Sequence, residues 1–540
     1  MGFRFILVVV GFVSAYLALG GRLYFLQITE GGNYRFRAGV IEEIREKLDL
    51  RRGQIYFTDR EGKDISVALN RDYPLVFASP KEIVDIPEAS EVLAPILGVP
   101  ASELEESFRR NPESQFLELL PKPTTAQVEA IREAGLKGIH IDSKQYRNYP
   151  YGRLGSHMIG YLGKNAETTE PIGLYGIEKM MNDGLSTGDV AKMTIDRTIQ
   201  SHVEEILTRL VKDEGAAGGT IIVAEPKTGK ILAMANAPDF DPNMYQEFPL
   251  KNFLNPAVQL QYEPGSVFKP LTMAAGIDSG ALTPETTYVD TGSVTLNGKT
   301  ITNWDHKAYG KTTMTEVIEH SINTGAVFAE QKIGNDTFKV YLKKFGFGAE
   351  TGIDLPDEVT GSIRNLERRE VRQIDFATAS YGQGTAVTPV QLVAAFGALA
   401  NGGVLMRPYV LEESRDQVVG RVIKEETSQK VTAMMESSVE VNRLAVIPGY
   451  RIAGKTGTAF MPNLVRGGYY DDQFIHTFIG FGPVSNPKFL VYMKLERPQI
   501  HMLAGGTVVP LFRDVAEFIL NYYSIPPDKL APATPQSGNL

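Results

Sequence analysis

The chain opens on an uninterrupted apolar run. FILVVVGFVSAYLALGG (Phe5–Gly21) contains no charge; Arg22 interrupts, and LYFLQI (Leu23–Ile28) continues apolar. At ~1.5 Å per residue the first stretch reaches ~26 Å, close to the thickness of a bilayer core, and Arg22 can snorkel at its edge. A cleaved leader has a shorter apolar region and a small-x-small site. No convincing site of that kind is present, so the pattern predicts an uncleaved single-pass anchor. Arg4 precedes the span, and Arg35 and Arg37 follow it. That bias points against export, but it is a weak determinant for long domains, so orientation is left to the chemistry.

Beyond the anchor the periodicity changes. RRGQIYFTDREGKDISVALN (Arg51–Asn70) alternates around a polar, Gly-containing turn and predicts a hairpin. TTAQVEAIREAG (Thr124–Gly135) predicts a short capped helix ending at Gly. Tyr146–Gly176, dense in Gly and Tyr, reads mostly as loop, and LSTGD (Leu185–Asp189) as a boundary. RTIQSHVEEILTRLVKD (Arg197–Asp213) has helical spacing; GGTIIVAEPKTGKILAMAN (Gly218–Asn236) reads as two strands around PKTG. Helix-like stretches dominate from Ser266 to about Ala400. Strands return over Arg451–Thr458, Phe474–Gly482 and Lys488–Glu496, and a helix closes Gly505–Tyr523. Short turns between neighbouring strands imply an antiparallel sheet with a separate helical part. PPDKLAPATPQSGNL reads as a disordered tail.

Composition narrows this picture. With 540 residues, two or three domains are expected. The 43% hydrophobic fraction is enough for real cores, and the net charge of −9 argues against nucleic acid as the main partner. The absence of cysteine excludes disulfides, thiolate catalysis and zinc–cysteine sites.

One string invites a nucleotide-hydrolysing reading. Gly449–Thr456 in GYRIAGKTGTAF fits G-x-x-x-x-G-K-[ST]. A phosphate loop must lie between a strand and a helix, and Pro462 with Gly467 and Gly468 works against a helix there. The parallel sheet of such enzymes is also missing, as is a clear apolar strand ending in a magnesium-binding Asp.

Two further strings stand beside it. YEPGSVFKPLTMAAGIDSG (Tyr262–Gly280) holds Ser266-x-x-Lys269: Pro264 and Gly265 break the chain, and Ser266 is expected at a helix start with Lys269 one turn on. Alone, the pair reads as an N-cap and a solvated lysine. TTMTEVIEHSINTGAVFAEQKIG (Thr312–Gly334) holds Ser321-x-Asn323. Thr313 and Glu316 form a capping box for a helix from about Met314 to His320, and a second helix ends at Gly334. Ser321 and Asn323 thus fall on the connection, which alone reads as a capped turn.

Taken together, S-x-x-K, then S-x-N after about fifty residues, then K-T-G on a C-terminal strand is the order of serine acyltransferases that act on penicillin. The chain resembles the class B penicillin-binding proteins, the monofunctional D,D-transpeptidases of peptidoglycan synthesis. The likeness covers the anchor, RRGQIYFTDREGK, GLYGIEKMMNDGLSTGD, TIDRTIQ, YEPGSVFKP, SIN, SYGQGTAVTPVQL (Ser380–Leu392) and AGKTGTA (Ala453–Ala459); it is weakest over residues 84–123.

The resemblance implies an α/β (α+β) fold in four parts: a transmembrane anchor (1–28), an extended mixed pedestal or dimerisation-type module (29–193), a transpeptidase domain (194–525) and a flexible tail (526–540). The transpeptidase domain would have a central antiparallel sheet flanked by helices plus an all-helical subdomain. Ser266 would attack the carbonyl between two D-alanines of a stem peptide. None of the seven histidines has a matching position, so Lys269, as a neutral amine, is left as the base. From ~10.4 to near 7 is a shift of ~3 units, ~4 kcal/mol, for which burial and the like charge of Lys455 are the expected causes. Ser321 would relay a proton to the leaving amine, and Asn323 would orient it or the substrate. The backbone N–H groups of Ser266 and Thr458 would form the oxyanion hole. Lys455, Thr456 and Thr458 would receive the terminal carboxylate, and Gly457 would let substrate lie close to the strand edge. No cofactor or metal is expected.

The resemblance also implies β-lactams as ligands, a SEDS-family glycosyltransferase as membrane partner, and a bacterial cytoplasmic-membrane location with the catalytic domain outside. SYGQGTAVTPVQL and AGKTGTA, followed by GGYYDDQFIHTFIGFGPVSNPKF, look more like division-type than elongation-type enzymes. A serine β-lactamase shares the three strings, but neither Glu350 nor Glu358 is followed by Leu-Asn. A D,D-carboxypeptidase and a non-catalytic penicillin-binding sensor remain alternatives.

Overall fold

The computed structural model describes residues 2–25, 28, 52–165, 167, 170–415, 417–463 and 465–529. Arg35, Arg37 and the last eleven residues of the expected tail lie outside them. Helix α1 (Gly2–Tyr24) is, among the described residues, the one helix long and apolar enough to cross a membrane: Phe5–Tyr24 has a mean hydropathy of 2.0 and none of it is buried. The rest divides into two compact units, residues up to 52 with 70–148, and residues 53–69 with 149 onward.

Strands β1 (Ile55–Thr58) and β2 (Asp64–Ala78) form the expected hairpin, turned by Asp59, whose carboxylate accepts the Glu61 and Lys63 N–H groups, and by Gly62 at φ 79°. The second strand runs eight residues past the expected end at Asn70. In the first unit, its end pairs with β3 and β4. Helices α2 (Ile86–Leu97) and α3 (Ala101–Arg110), strand β3 (Leu117–Pro121), helix α4 (Thr125–Ala134) and strand β4 (Ile139–Asn148) enclose Val76, Leu93, Phe108 and Ile131. Helix α4 carries a complete Thr124–Gln127 capping box and stops at Gly135.

In the second unit, the stretch expected to be mostly loop includes one short pair, β5 (Leu162–Lys164) with β6 (Pro171–Gly173). Strand β7 (Ala191–Asp196) runs parallel to β1 and leads into α5 (Arg197–Asp213). Strands β8 (Gly218–Ala224) and β9 (Ile231–Ala237) follow. They are buried almost throughout, which is why they read as continuous apolar runs rather than alternating ones. Helix α6 (Lys269–Asp278) opens the helical block. That block is not all-helical: Thr-rich segments build β10 (Thr287–Asp290) with β13 (Gly310–Thr313), and β11 (Ser293–Leu296) with β12 (Lys299–Thr302). The tip of the inner hairpin is Asn297-Gly298, both at positive φ, the pairing a tight hairpin turn requires. Helices α7 (Met314–Glu319), α8 (Asn323–Ile333) and α9 (Pro389–Ala400) follow, then a small pair, β14 (Val404–Met406) with β15 (Val418–Arg421), and α10 (Glu425–Asn442).

The chain then returns to the sheet through β16 (Ala453–Pro462), β17 (Tyr469–Gly482) and β18 (Phe489–Glu496), before α11 (Val508–Tyr522). The order is β16-β17-β18-β8-β9, every neighbour antiparallel, with β16 at an edge. One face packs on α5 and α11 through residues such as Val203, Leu207, Phe478 and Phe512. The other, through Ile222, Ile479 and Tyr492, joins a core with Val267, Leu271 and Phe396. The described residues of the expected tail, 526–529, are hydrogen-bonded to the domain. Asp528 accepts the Arg451 and Ser485 N–H groups, and its own N–H and that of Lys529 bond the Gly449 carbonyl.

Candidate active site

Ser266 sits in a 3₁₀ turn, Gly265–Phe268, that runs straight into α6 at Lys269. It caps no helix, because the helix begins three residues later than the expected start. Its hydroxyl is half-buried and makes no hydrogen bond among the described residues. The turn is held from below by Ser380–Val387. Gly382 O accepts the Gly265 N–H at 3.0 Å, Tyr262 and Val387 exchange backbone bonds at 2.9 Å, and Thr272 Oγ1 donates to Ser380 O at 2.7 Å. A Cβ on Gly382 would lie 2.3 Å from Gly265 O, so only glycine allows this approach. The SYGQGTAVTPVQL string, which entered above only as part of the likeness, is therefore a clamp beneath the turn; its two glycines so close together were the available signal.

Lys269 is fully buried. Its Nζ donates to the Ser321 carbonyl and to Asn323 Oδ1 at 2.9 Å, and lies 3.2 Å from Ser321 Oγ. Ser321 lies between α7 and α8 with φ 57°, a left-handed conformation uncommon for a non-glycine residue. The Thr313–Glu316 capping box fixes the start of α7, as expected. Asn323 is the first residue of α8, and its Nδ2 donates to Thr302 O at 2.9 Å.

Lys455 reaches the same hydroxyl from the sheet: its Nζ lies 3.1 Å from Ser321 Oγ and 3.2 Å from Thr456 O. The two amines thus converge on one hydroxyl, and no hydrogen-bond partner of either carries a negative charge. Burial, then the Lys455 charge, push the Lys269 pKa well below the usual lysine range; burial lowers Lys455 to about 7. Removing a cation from water without a counter-charge favours its neutral form.

Strand β16 supplies the other wall. Thr456 and Thr458 are half-buried, and Lys455 and Gly457 point to the opposite face. A Cβ on Gly457 would come 3.0 Å from Val267 Cγ1 and 3.1 Å from Pro264 O. The expected role of this glycine is therefore amended: it lets the Ser266 turn pack on the strand. Ser266, Ser321, Asn323, Lys455, Thr456 and Thr458 all line one cleft of about 1030 Å³, bordered further by Trp304 and by Met502–Gly505. The latter segment was not singled out by sequence. The second half of the string resembling a phosphate loop, Ala453–Thr456, opens an antiparallel edge strand that continues to Pro462. Glu358 accepts from Thr351 and Gly352 and does not line the cleft.

A five-stranded antiparallel sheet whose edge meets a serine-bearing turn, with lysines from both sides, is the architecture of a penicillin-recognising acyltransferase domain. The family descriptions agree: "Penicillin binding protein transpeptidase domain" matches residues 219–517, and "Penicillin-binding Protein dimerisation domain" matches residues 48–221. The chain belongs to the class B penicillin-binding proteins. It is 30% identical to Stage V sporulation protein D of Bacillus subtilis, over 97% of this chain and 86% of that one. It is also 30% identical to the probable peptidoglycan D,D-transpeptidase PbpC of Pseudomonas aeruginosa, over 98% and 96%. The apo crystal structure of penicillin-binding protein 3 from Mycobacterium tuberculosis superposes with a TM-score of 0.65 at 29% identity, covering 71% of this chain and 92% of that one.

Proposed function

We propose that this transpeptidase cross-links peptidoglycan stem peptides through an acyl-enzyme on Ser266, and that β-lactams acylate the same serine. Neutral Lys269 takes the Ser266 proton as Oγ attacks the carbonyl between the terminal D-alanines. The Oγ–C bond forms and the C–N bond breaks, and D-alanine leaves with a proton relayed through Ser321. An acceptor amine then attacks the ester and frees Ser266. The Ser266 and Thr458 N–H groups bind the developing oxyanion, Asn323 holds Lys269, and Lys455, Thr456 and Thr458 bind the terminal carboxylate. The observation that carries this reading is the buried Lys269 amine without a counter-charge, bonded to both Ser321 and Asn323.

Helix α1 anchors the protein in the bacterial cytoplasmic membrane with the cleft outside, where a SEDS-family glycosyltransferase meets the anchor and the residue 29–193 module. The role is division. A fluorescent penicillin tests the acyl-enzyme, and a stem-peptide donor with and without an amine acceptor tests its fate. A cross-linked product is expected. Free D-alanine alone would make the protein a carboxypeptidase, and labelling without either product a sensor. Depletion in cells should give filaments; rounded cells would assign elongation instead.

A further inference from the structure

Behind the Thr458 end of β16 stands a histidine to which the sequence analysis assigned no role. His476 is the cross-strand partner of Thr458, so both side chains leave the same face of the sheet. His476 is fully buried, and both ring nitrogens are engaged by the loop between β18 and α11: Nδ1 with Thr507 Oγ1 at 2.9 Å, Nε2 with the Met502 carbonyl at 3.1 Å. A carbonyl only accepts, so Nε2 carries the proton; in the neutral ring Nδ1 then accepts from the Thr507 hydroxyl at 2.9 Å, the shorter of that hydroxyl's two contacts, the Ala504 carbonyl being 3.4 Å away. One neutral tautomer satisfies both contacts.

The two bonded residues bracket Ala504, whose N–H donates to Thr458 Oγ1 at 3.2 Å. The start of the loop is tied separately, with the His501 N–H and Nδ1 3.3 Å and 2.8 Å from the Glu214 carboxylate, whereas Met502 and Leu503 are 70% and 50% exposed. The bond to Ala504 has a chemical consequence. With a lone pair of Thr458 Oγ1 occupied by an N–H, the hydroxyl's own hydrogen must point elsewhere, and Thr458 lines the cleft. The hydroxyl is thereby biased to donate toward an anion in the cleft, because one of its hydrogen positions is excluded before binding.

We propose that His476 is a positioning residue for anion recognition: it clamps residues 502–507 to the sheet so that Ala504 N–H holds the Thr458 hydroxyl as a donor toward the carboxylate of a stem peptide or a β-lactam. This rests on the assignment of Thr458 to the carboxylate made above.

The test compares the full-length protein's acylation by a penicillin and by its methyl ester, which lacks the anion. His476→Phe fills the ring space without either hydrogen bond, and Thr507→Val removes one of the bonds from the loop side, which keeps the test open if the first variant does not fold. Each should lower the second-order rate for the acid about tenfold, through weaker binding rather than a slower first-order step, and leave the ester rate unchanged. His476→Gln, which offers both an N–H and an acceptor, should recover most of the loss. Adding Thr458→Val to His476→Phe should cost nothing further. If acid and ester rates fall together, His476 only supports the fold and the proposal is overturned. If Thr458→Val abolishes the acid preference while His476→Phe keeps it, the clamp alone is wrong. If Thr458→Val keeps the preference, the carboxylate assignment fails first and takes the clamp with it.

Discussion

The two walls of the cleft are built on different physical terms. The sheet wall is β16, whose register with β17 is regular through Ala453–Phe460. Its site residues are small or backbone-led: Thr456, Gly457, Thr458. The helical wall is irregular. Ser266 lies in a 3₁₀ turn, Ser321 in a left-handed conformation, and Lys269 is a buried amine with no counter-charge among its described hydrogen-bond partners. Regular backbone repeats its N–H and C=O groups at fixed spacing, which suits holding an extended peptide. Strained and buried groups suit proton transfer, because their pKa values lie far from those in water. Changes on the helical wall should therefore alter chemistry and pH dependence, and changes on the sheet wall should alter fit.

The largest expected effect lies at the helical wall. Ser266→Ala should abolish covalent labelling by penicillin with the thermal midpoint unchanged, since the hydroxyl makes no hydrogen bond among the described residues. An acyl adduct found by mass spectrometry on another serine would remove Ser266 from its role. Next, Lys269→Arg keeps the charge but cannot supply a neutral base. Acylation should fall by about 10²–10⁴-fold, the usual worth of general base catalysis. Retention of more than about a tenth of the rate, a loss under ~1.4 kcal/mol, would make Lys269 merely electrostatic.

Lys455 is where the comparison can break, because it stands on the sheet and acts on the helical wall. Lys269 is inactive as a base when protonated, so acylation should rise with pH through its pKa. Lys455→Met removes the second cause of that pKa's depression and leaves burial, the first, in place. The Lys269 pKa then rises, and the acid limb of the first-order acylation constant should move to higher pH. An unmoved limb, or one displaced to lower pH, would mean that the two amines are not coupled and that Lys455 belongs wholly to the sheet's holding role.

Gly457→Ala probes the seam between the sheet wall and the Ser266 turn. The new methyl meets Val267 and the Pro264 carbonyl, and overpacking of this kind costs about 1–3 kcal/mol. The thermal midpoint should fall, and acylation should drop about tenfold with its pH profile in place. A displaced profile would show that the walls cannot be perturbed separately.

What the sequence disclosed follows the same division between local and non-local causes. Helices α4 and α7 were legible because their caps lie within four residues of chain, Thr124 to Gln127 and Thr313 to Glu316. The strands of the main sheet were legible from their apolar runs. The four short strands between α6 and α7 were not, because each is four residues long and mostly half-buried or exposed. The Gly265–Gly382 contact and the His476 bracket escaped because their partners are distant in sequence. Pro526–Lys529 read as tail from composition, yet Asp528 finds two backbone donors. At the site, the residue types and their order were readable; that Lys269 meets Ser321 and Asn323 while the Ser266 hydroxyl stays unbonded required coordinates.

The smallest expected effect on chemistry comes from the part of the chain farthest from the cleft in sequence. Every residue lining the cleft falls between Gly265 and Gly505, and α1 has no buried residue among those described. Deleting Met1–Ile28 should therefore give a soluble protein acylated by penicillin at the full-length rate, with both walls unchanged. Its cost should appear only in cells. A membrane tether raises the effective concentration of enzyme at a membrane-borne substrate without adding any contact at the site, so the same truncation, exported, should fail to support growth when the full-length gene is absent. Loss of acylation in the purified truncation would make α1 part of the active fold. Full replacement of the native protein by an untethered one would leave the anchor dispensable and remove the main argument for a partner that reads it.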